Sequence, residues 1–148
     1  MSKTSQHPDP TILIRPYEET DEAAVVDLWQ EVFPGAPAWN DPVNDIRRKL
    51  TVQPELFFIA MKDRQLVGTA MAGYDGHRGW IYYVVVSPNH RRQGIGSALM
   101  GHAEEALREK GCPKLNLQVR ASNHEVVKFY QQLGYEIEER VSMAKRLE

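Results

Sequence analysis

The chain has 148 residues, 42% apolar and 26% charged, which fits one ordinary soluble domain able to bury a core. Its formal net charge of -2 excludes a broad nucleic-acid footprint, although a local basic cluster can still hold a small polyanion. The single cysteine, Cys112, excludes an internal disulfide and a multi-cysteine zinc site, and no run approaches the ~20 apolar residues needed to cross a bilayer. These limits predict a small-molecule ligand, no nucleic-acid or membrane partner, no metal and a cytoplasmic location. Residues 1–10 lack an apolar signal core and read as a frayed tail before a single domain over residues 11–148.

In chain order, residues 11–15 read as a strand. Thr20 is a candidate cap for a helix with Asp21 and Glu22 in its first turn and Val25, Leu28, Trp29 and Val32 at helical spacing; Pro34-Gly35 should stop it. Asp41-Pro42 offers an N-cap followed by a proline-compatible first position, opening a short helix through Ile46 and Leu50 that Pro54 ends. Residues 56–61, 66–74 and 80–86 are three β-rich runs with short polar connections, most simply an antiparallel meander.

Ile95, Ala98, Leu99, His102, Ala103 and Ala106 mark one face of a further helix, closed by Lys110-Gly111. Residues 115–119 form the next expected strand. Asn123 caps an expected helix carrying Val126, Phe129, Tyr130 and Leu133, stopped by Gly134; residues 135–138 and 141–147 then read as a closing strand pair. The order β-α-α-β-β-β-α-β-α-β-β predicts an α/β fold, a mixed and mostly antiparallel sheet flanked by helices.

Between the third β-rich run and the following helix lies Arg91-Arg92-Gln93-Gly94-Ile95-Gly96. Two glycines let main chain pass close to a ligand, two arginines supply charge, and a helix starting there aims free N–H groups at an anion. A Walker A loop does not fit, because Gly96 is followed by Ser97-Ala98 instead of lysine and a hydroxyl residue. A Rossmann fingerprint fits poorly: residues 87–93 separate the strand from the glycines, and no acidic residue stands where the ribose would need one.

The whole arrangement of strand, Ser87-Pro88, Arg91-x-x-Gly94-x-Gly96, helix, strand, Asn123 and then Phe129-Tyr130 with Leu133-Gly134-Tyr135 resembles the GNAT family of acyl-CoA-dependent N-acetyltransferases. Trp39-Asn40-Asp41-Pro42, the segment from Gly73 to Gly79 and Gly111-Cys112-Pro113-Lys114 look most like its YpeA-type bacterial members. The resemblance implies acetyl-CoA as acyl donor, direct attack by a primary amine in a ternary complex, and a small-molecule or peptide amine acceptor. Homodimers are common in that family.

By the same resemblance, Arg91, Arg92, Gln93, Gly94, Ile95, Gly96 and Ser97 would hold the pyrophosphate. Val84 and Val86 would offer main chain to the pantetheine arm, with Asn123 contacting it from the following helix. Val85 or Val86 would supply the N–H that steadies the tetrahedral oxygen, and Tyr130 would assist the departing thiolate. Tyr130 also has a plain reading as a core aromatic, Asn123 as a helix cap, and Cys112 as a small filler.

Many family members carry a glutamate on the strand before the glycine loop, whereas residues 80–86 of this chain contain no carboxylate. A water chain or a carboxylate from another element must then take the amine's proton. Trp39, Asn40, Asp41, Asp75, His77 and Tyr82 are the candidates for the acceptor side, although Asp75-Gly76 is also a turn signal and Asp41 a helix cap. The missing carboxylate leaves a catalytically silent acyl-CoA sensor as the alternative function.

Overall fold

Five strands form one sheet in the order β1-β2-β3-β4-β5 in the computed structural model, which describes residues 10–37, 39 and 41–148. The expected tail lies outside the described residues except for Pro10. The chain divides into two units, Met1–Leu117 and Gln118–Glu148.

In the first unit, β1 (Ile12–Pro16), β2 (Phe57–Lys62), β3 (Gln65–Tyr74) and β4 (Gly79–Val86) run antiparallel to their neighbours, and β5 (Leu115–Asn116) is parallel to β4. Residues 57–60 are all buried, as they must be in a strand covered on both faces. One face meets α1 (Glu22–Val32) and α2 (Pro42–Lys49) through Val25, Leu28, Trp29 and Ile46, packed with Phe57, Ile59, Met71 and Val85. α3 (Ile95–Glu109) packs on β1 to β4 with Ile95, Leu99, Ala103 and Leu107 buried.

Gly68 makes that approach close. A Cβ there would lie 2.9 Å from Val85 O and 3.1 Å from side-chain atoms of both Ile95 and Leu99, so a larger residue would force the β4 main chain or those α3 side chains to shift.

The elements follow the sequence pattern with local corrections. Thr20 does not cap α1: it lies inside a 3₁₀ turn, Glu19–Asp21, that leads into the helix. Asp21 organises this entry because its carboxylate accepts the Glu18 N–H at 2.8 Å and a two-pronged pair from Arg15 at 2.8 and 2.9 Å. The Arg15 bonds hold the Asp21 carboxyl below its usual range despite burial. Asp41 caps α2 as expected, with Oδ1 accepting the Val43 N–H at 3.1 Å and Pro42 in the first turn.

In the second unit, α4 (His124–Gln132) is capped by Asn123, whose Oδ1 accepts the Val126 N–H at 3.3 Å. The expected closing pair is not formed: residues 135–138 and 141–147 are not strands, and β5 ends at Asn116, short of the expected residue 119. A strand exists only as part of a ladder, and the second unit contains no strand to supply one. Alternating apolar residues are therefore insufficient there, and Gln118 Nε2 instead donates to Ser142 Oγ at 2.5 Å.

Candidate active site

Strand β4 organises the first unit's site because it loses one neighbour part-way along. β5 pairs with it only at Gly79↔Leu115 and Trp80↔Asn116, so beyond Trp80 that edge has no strand beside it among the described residues of the unit. On the other edge Thr69 pairs with Val85 and Met71 with Tyr82, which leaves Tyr83 and Val84 opposite Ala70 alone. This is a bulge, and Tyr83 takes the left-handed conformation at φ 51°. Ser87 N–H donates to Val67 O at 2.8 Å. Two-residue alternation from that bond turns Val85 toward β3 and the N–H and C=O groups of Val84 and Val86 toward the open edge.

The strained residue is held at both ends. Its carbonyl accepts the Thr69 hydroxyl at 2.8 Å, and its phenol donates to Asp45 Oδ2 on α2 at 2.5 Å. Trp29 stacks on its ring with centroids 3.8 Å apart and donates its indole N–H to Thr69 Oγ1 at 3.0 Å. Burial, followed by the Asp45 hydrogen bond, raises the Tyr83 pKa, so the phenol stays neutral at ordinary pH.

A cavity of about 480 Å³ opens beside this cluster, lined by Trp29, Phe33, Pro37, Asp41, Pro42 and Tyr83 among others. Phe33 stands edge-on to Tyr83 at 6.3 Å and is 46% exposed. Asp41 is the one charged side chain among the described lining residues.

Past the end of β4 the main chain prepares an anion site. Arg92 at φ 64° and Gly94 at φ 82° turn it into α3, whose N-cap, Gly94, has no capping side chain. The first helical bond runs from Ala98 N to Gly94 O at 3.0 Å. Ile95, Gly96 and Ser97 therefore lie before the ladder, with N–H groups at the positive end of a 15-residue helix. Lys62 on β2 joins the loop by donating from Nζ to Gln93 Oε1 at 2.6 Å.

In the second unit Tyr130 is 9% exposed and lies against the rings of Phe129 and Tyr135, with centroids at 5.0 and 5.8 Å. Burial pushes its phenol up to about 12, which makes it a neutral hydrogen-bond donor.

Residues 22–135 match the Acetyltransferase (GNAT) family. The chain belongs to this family. It is 43% identical over 134 residues to an acetyltransferase of Yersinia pestis (strain Pestoides F), covering 90% of this chain and 94% of that relative. An acetyltransferase of Pectobacterium atrosepticum is as similar, at 43% identity with the same coverage. Among solved structures, Ard1 from Thermoplasma volcanium superposes with a TM-score of 0.75 at 26% identity, covering 86% of this chain and 84% of that one. The aminoglycoside acetyltransferase AAC(6')-Iy, solved with a bisubstrate analogue of coenzyme A, shares the fold with a TM-score of 0.77 at 24% identity, covering 91% and 97%.

As a GNAT acetyltransferase, the chain concentrates several expected donor-side residues along one path: Val84 and Val86 on the β4 edge, then Arg91, Arg92, Gln93, Gly94, Ile95, Gly96 and Ser97 at the α3 entry. Val85 differs, since its partner is Thr69 on β3. Asn123 and Tyr130 belong to the second unit.

The expected acceptor-side residues scatter. Asp41 lines the cavity, Trp39 is 54% exposed, Tyr82 is 53% exposed on β4, and Asn40 lies outside the described residues. Asp75 and His77 sit in the β3–β4 turn, where Asp75 Oδ1 accepts the N–H groups of His77 and Arg78, both at 2.8 Å. That turn precedes Gly79, five strand residues before Val84, or roughly 17 Å along the strand. Cys112 belongs to the same far end: a Cβ on Gly79 would meet its sulfur at 2.8 Å.

Sequence reading missed Trp29, Phe33, Asp45 and Tyr83 as parts of a site. Only the bulge joins them; the tyrosine pair Tyr82-Tyr83 on the strand before the glycine loop was the available signal. No helix among the described residues is long and apolar enough to cross a membrane, and no metal-ligand cluster occurs among them.

Proposed function

We propose that this acetyltransferase moves the acetyl group of acetyl-CoA to a primary amine by direct attack in a ternary complex. The observation that carries the reading is the stretch of β4 beyond Trp80, unpaired with β5, leading into the α3 entry. Coenzyme A offers an arm with amides and then a pyrophosphate, and the edge offers main-chain groups followed by a helix N-terminus. An exposed charge at such a helix end gains about 0.3–1 kcal/mol, so affinity is spread over many contacts.

The reaction needs no covalent enzyme intermediate. The amine lone pair attacks the thioester carbon, the carbonyl electron pair moves onto oxygen, and an N–H at the bulge steadies that oxygen. Val84 and Val86 have the outward-facing N–H groups for this, whereas Val85 is turned to Thr69. Collapse of the tetrahedral species expels the thiolate, and water takes the amine's proton. Tyr130 and Asn123 enter through the family resemblance, Tyr130 as donor of a hydrogen bond to the departing sulfur and Asn123 as a contact to the arm. A phenol at about 12 facing a thiol near ~8.5 hydrogen-bonds to the thiolate more readily than it surrenders its proton.

Thiol release from acetyl-CoA, followed across diamines, monoamines, amino acids, aminoglycosides and peptides with uncatalysed hydrolysis subtracted, tests transfer. Amine-dependent release is the expected result. Calorimetric binding of coenzyme A without any amine-dependent release would instead favour the silent sensor, and no binding would sink both readings.

A further inference from the structure

The cavity beside Tyr83 has a composition that constrains what enters it. Its described lining combines the rings of Phe33 and Tyr83 and the rings of Pro37 and Pro42 with one carboxylate, Asp41, and no basic side chain. Trp29 covers one face of Tyr83, while Phe33 is nearly half exposed. Aromatic faces with a carboxylate attract an organic cation and disfavour an anion. The N-cap bond uses Asp41 Oδ1 and leaves Oδ2 for a ligand.

A carboxylate in an acceptor cavity poses a chemical problem. The attacking nitrogen must be neutral, and ion pairing with Asp41 would hold it in the protonated, unreactive form. Asp41 helps only if it grips a second nitrogen while the first lies uncharged beside the β4 bulge. A volume of about 480 Å³ has room for a ligand body linking the two.

From this we infer that the Tyr83 cavity selects acceptors with two amino groups, one attacking as the free base and the other held as an ammonium by Asp41 and the Phe33 and Tyr83 rings. The inference rests on the transfer reading above and adds the acceptor class: a compact diamine without a carboxylate. An amino acid would bring its own anion against Asp41 with no basic partner in the described lining.

Three four-carbon probes of matched length separate the cases: 1,4-diaminobutane, 1-aminobutane and 4-aminobutanoate. The diamine should show kcat/KM more than tenfold above the monoamine, with the aminobutanoate lowest. Asp41→Asn removes the charge but keeps an equally good helix cap, so α2 stays intact. In that variant the diamine-to-monoamine ratio should fall to within about twofold of unity. Equal use of diamine and monoamine, preference for the aminobutanoate, or a ratio unchanged in Asp41→Asn would overturn the inference, as would transfer to other amines with none to this diamine.

If coenzyme A binds but no amine is acetylated, the transfer reading has failed, and binding decides the cavity separately. Titration of 1,4-diaminobutane into the coenzyme A complex should then give binding that Asp41→Asn weakens at least fivefold. No binding, or equal binding by the variant, overturns the cavity assignment.

Discussion

The α3 entry and the Tyr83 cavity both adjoin β4, yet they are made of different material. The entry is main chain: N–H groups of Ile95, Gly96 and Ser97 ahead of the helical ladder, with Gly94 in the left-handed region and no capping side chain. The cavity is side chain: Trp29 and Phe33 from α1 and its end, Asp41 from the cap of α2 and Tyr83 from the bulge, with Trp29 stacked on Tyr83 and Asp45 fixing it from outside. A main-chain site can grip a ligand part common to many enzymes, because every residue supplies the same amide. A side-chain site can change its ligand through one substitution while the first site is untouched.

The strongest challenge to that separation is Trp29→Ala. It removes a 1%-exposed ring, its stack on Tyr83 and its bond to Thr69, and should cost about 3–5 kcal/mol in urea unfolding. Coenzyme A affinity measured below the transition should hold; a large loss would show that the two sites are one mechanical unit.

Tyr130→Phe separates chemistry from both grips. Turnover should fall about 10- to 100-fold with acetyl-CoA affinity nearly unchanged. The same substitution has a pH signature. Because the folded phenol sits at about 12 and an unfolded one near ~10, wild-type stability from this group is complete below pH ~10 and is lost as pH rises toward 12, on the order of 2 kcal/mol. The alkaline slope should flatten in Tyr130→Phe, and identical slopes by chemical denaturation would remove burial of Tyr130 from the account.

Gly96→Val places a branched side chain in the first turn of α3 and should weaken coenzyme A binding by roughly tenfold, about 1.4 kcal/mol. Amine selectivity should be unaltered, and a changed acceptor ranking at saturating donor would break the contrast. The smallest effect belongs to Tyr83→Phe, which deletes the hydrogen bond to Asp45 and should cost about 1 kcal/mol in stability, leaving coenzyme A affinity intact.

The contrast also explains what could be read from the residues alone. Glycines, helix caps and strand ends are local signals, so Arg91 to Ser97, Asp41 as the α2 cap and Asn123 as the α4 cap were visible in short windows. The cavity depends on partners 38 and 40 positions apart, Asp45 with Tyr83 and Trp29 with Thr69, and on one bulge that no pattern of apolar residues announces. Alternation alone cannot tell which of two neighbouring tyrosines, Tyr82 or Tyr83, the bulge turns toward α1. Gly68 escaped for a related reason, because its need for smallness comes from Ile95 and Leu99 on a distant helix. The closing strand pair failed in the opposite direction, with a good local pattern and no ladder to join.

The stack of Trp29 on Tyr83 also gives the molecule an optical property. Trp29 is buried, ring-stacked and hydrogen-bonded, whereas Trp39 is 54% exposed, so the indoles report from different surroundings. With Trp39 and Trp80 replaced by phenylalanine, the remaining emission comes from a ring in contact with the residue that shapes both the bulge and the cavity. Because Trp29 also lines the cavity, a shift on adding an amine would register entry into it, making the enzyme its own spectroscopic probe of acceptor arrival before any acetyl group has moved.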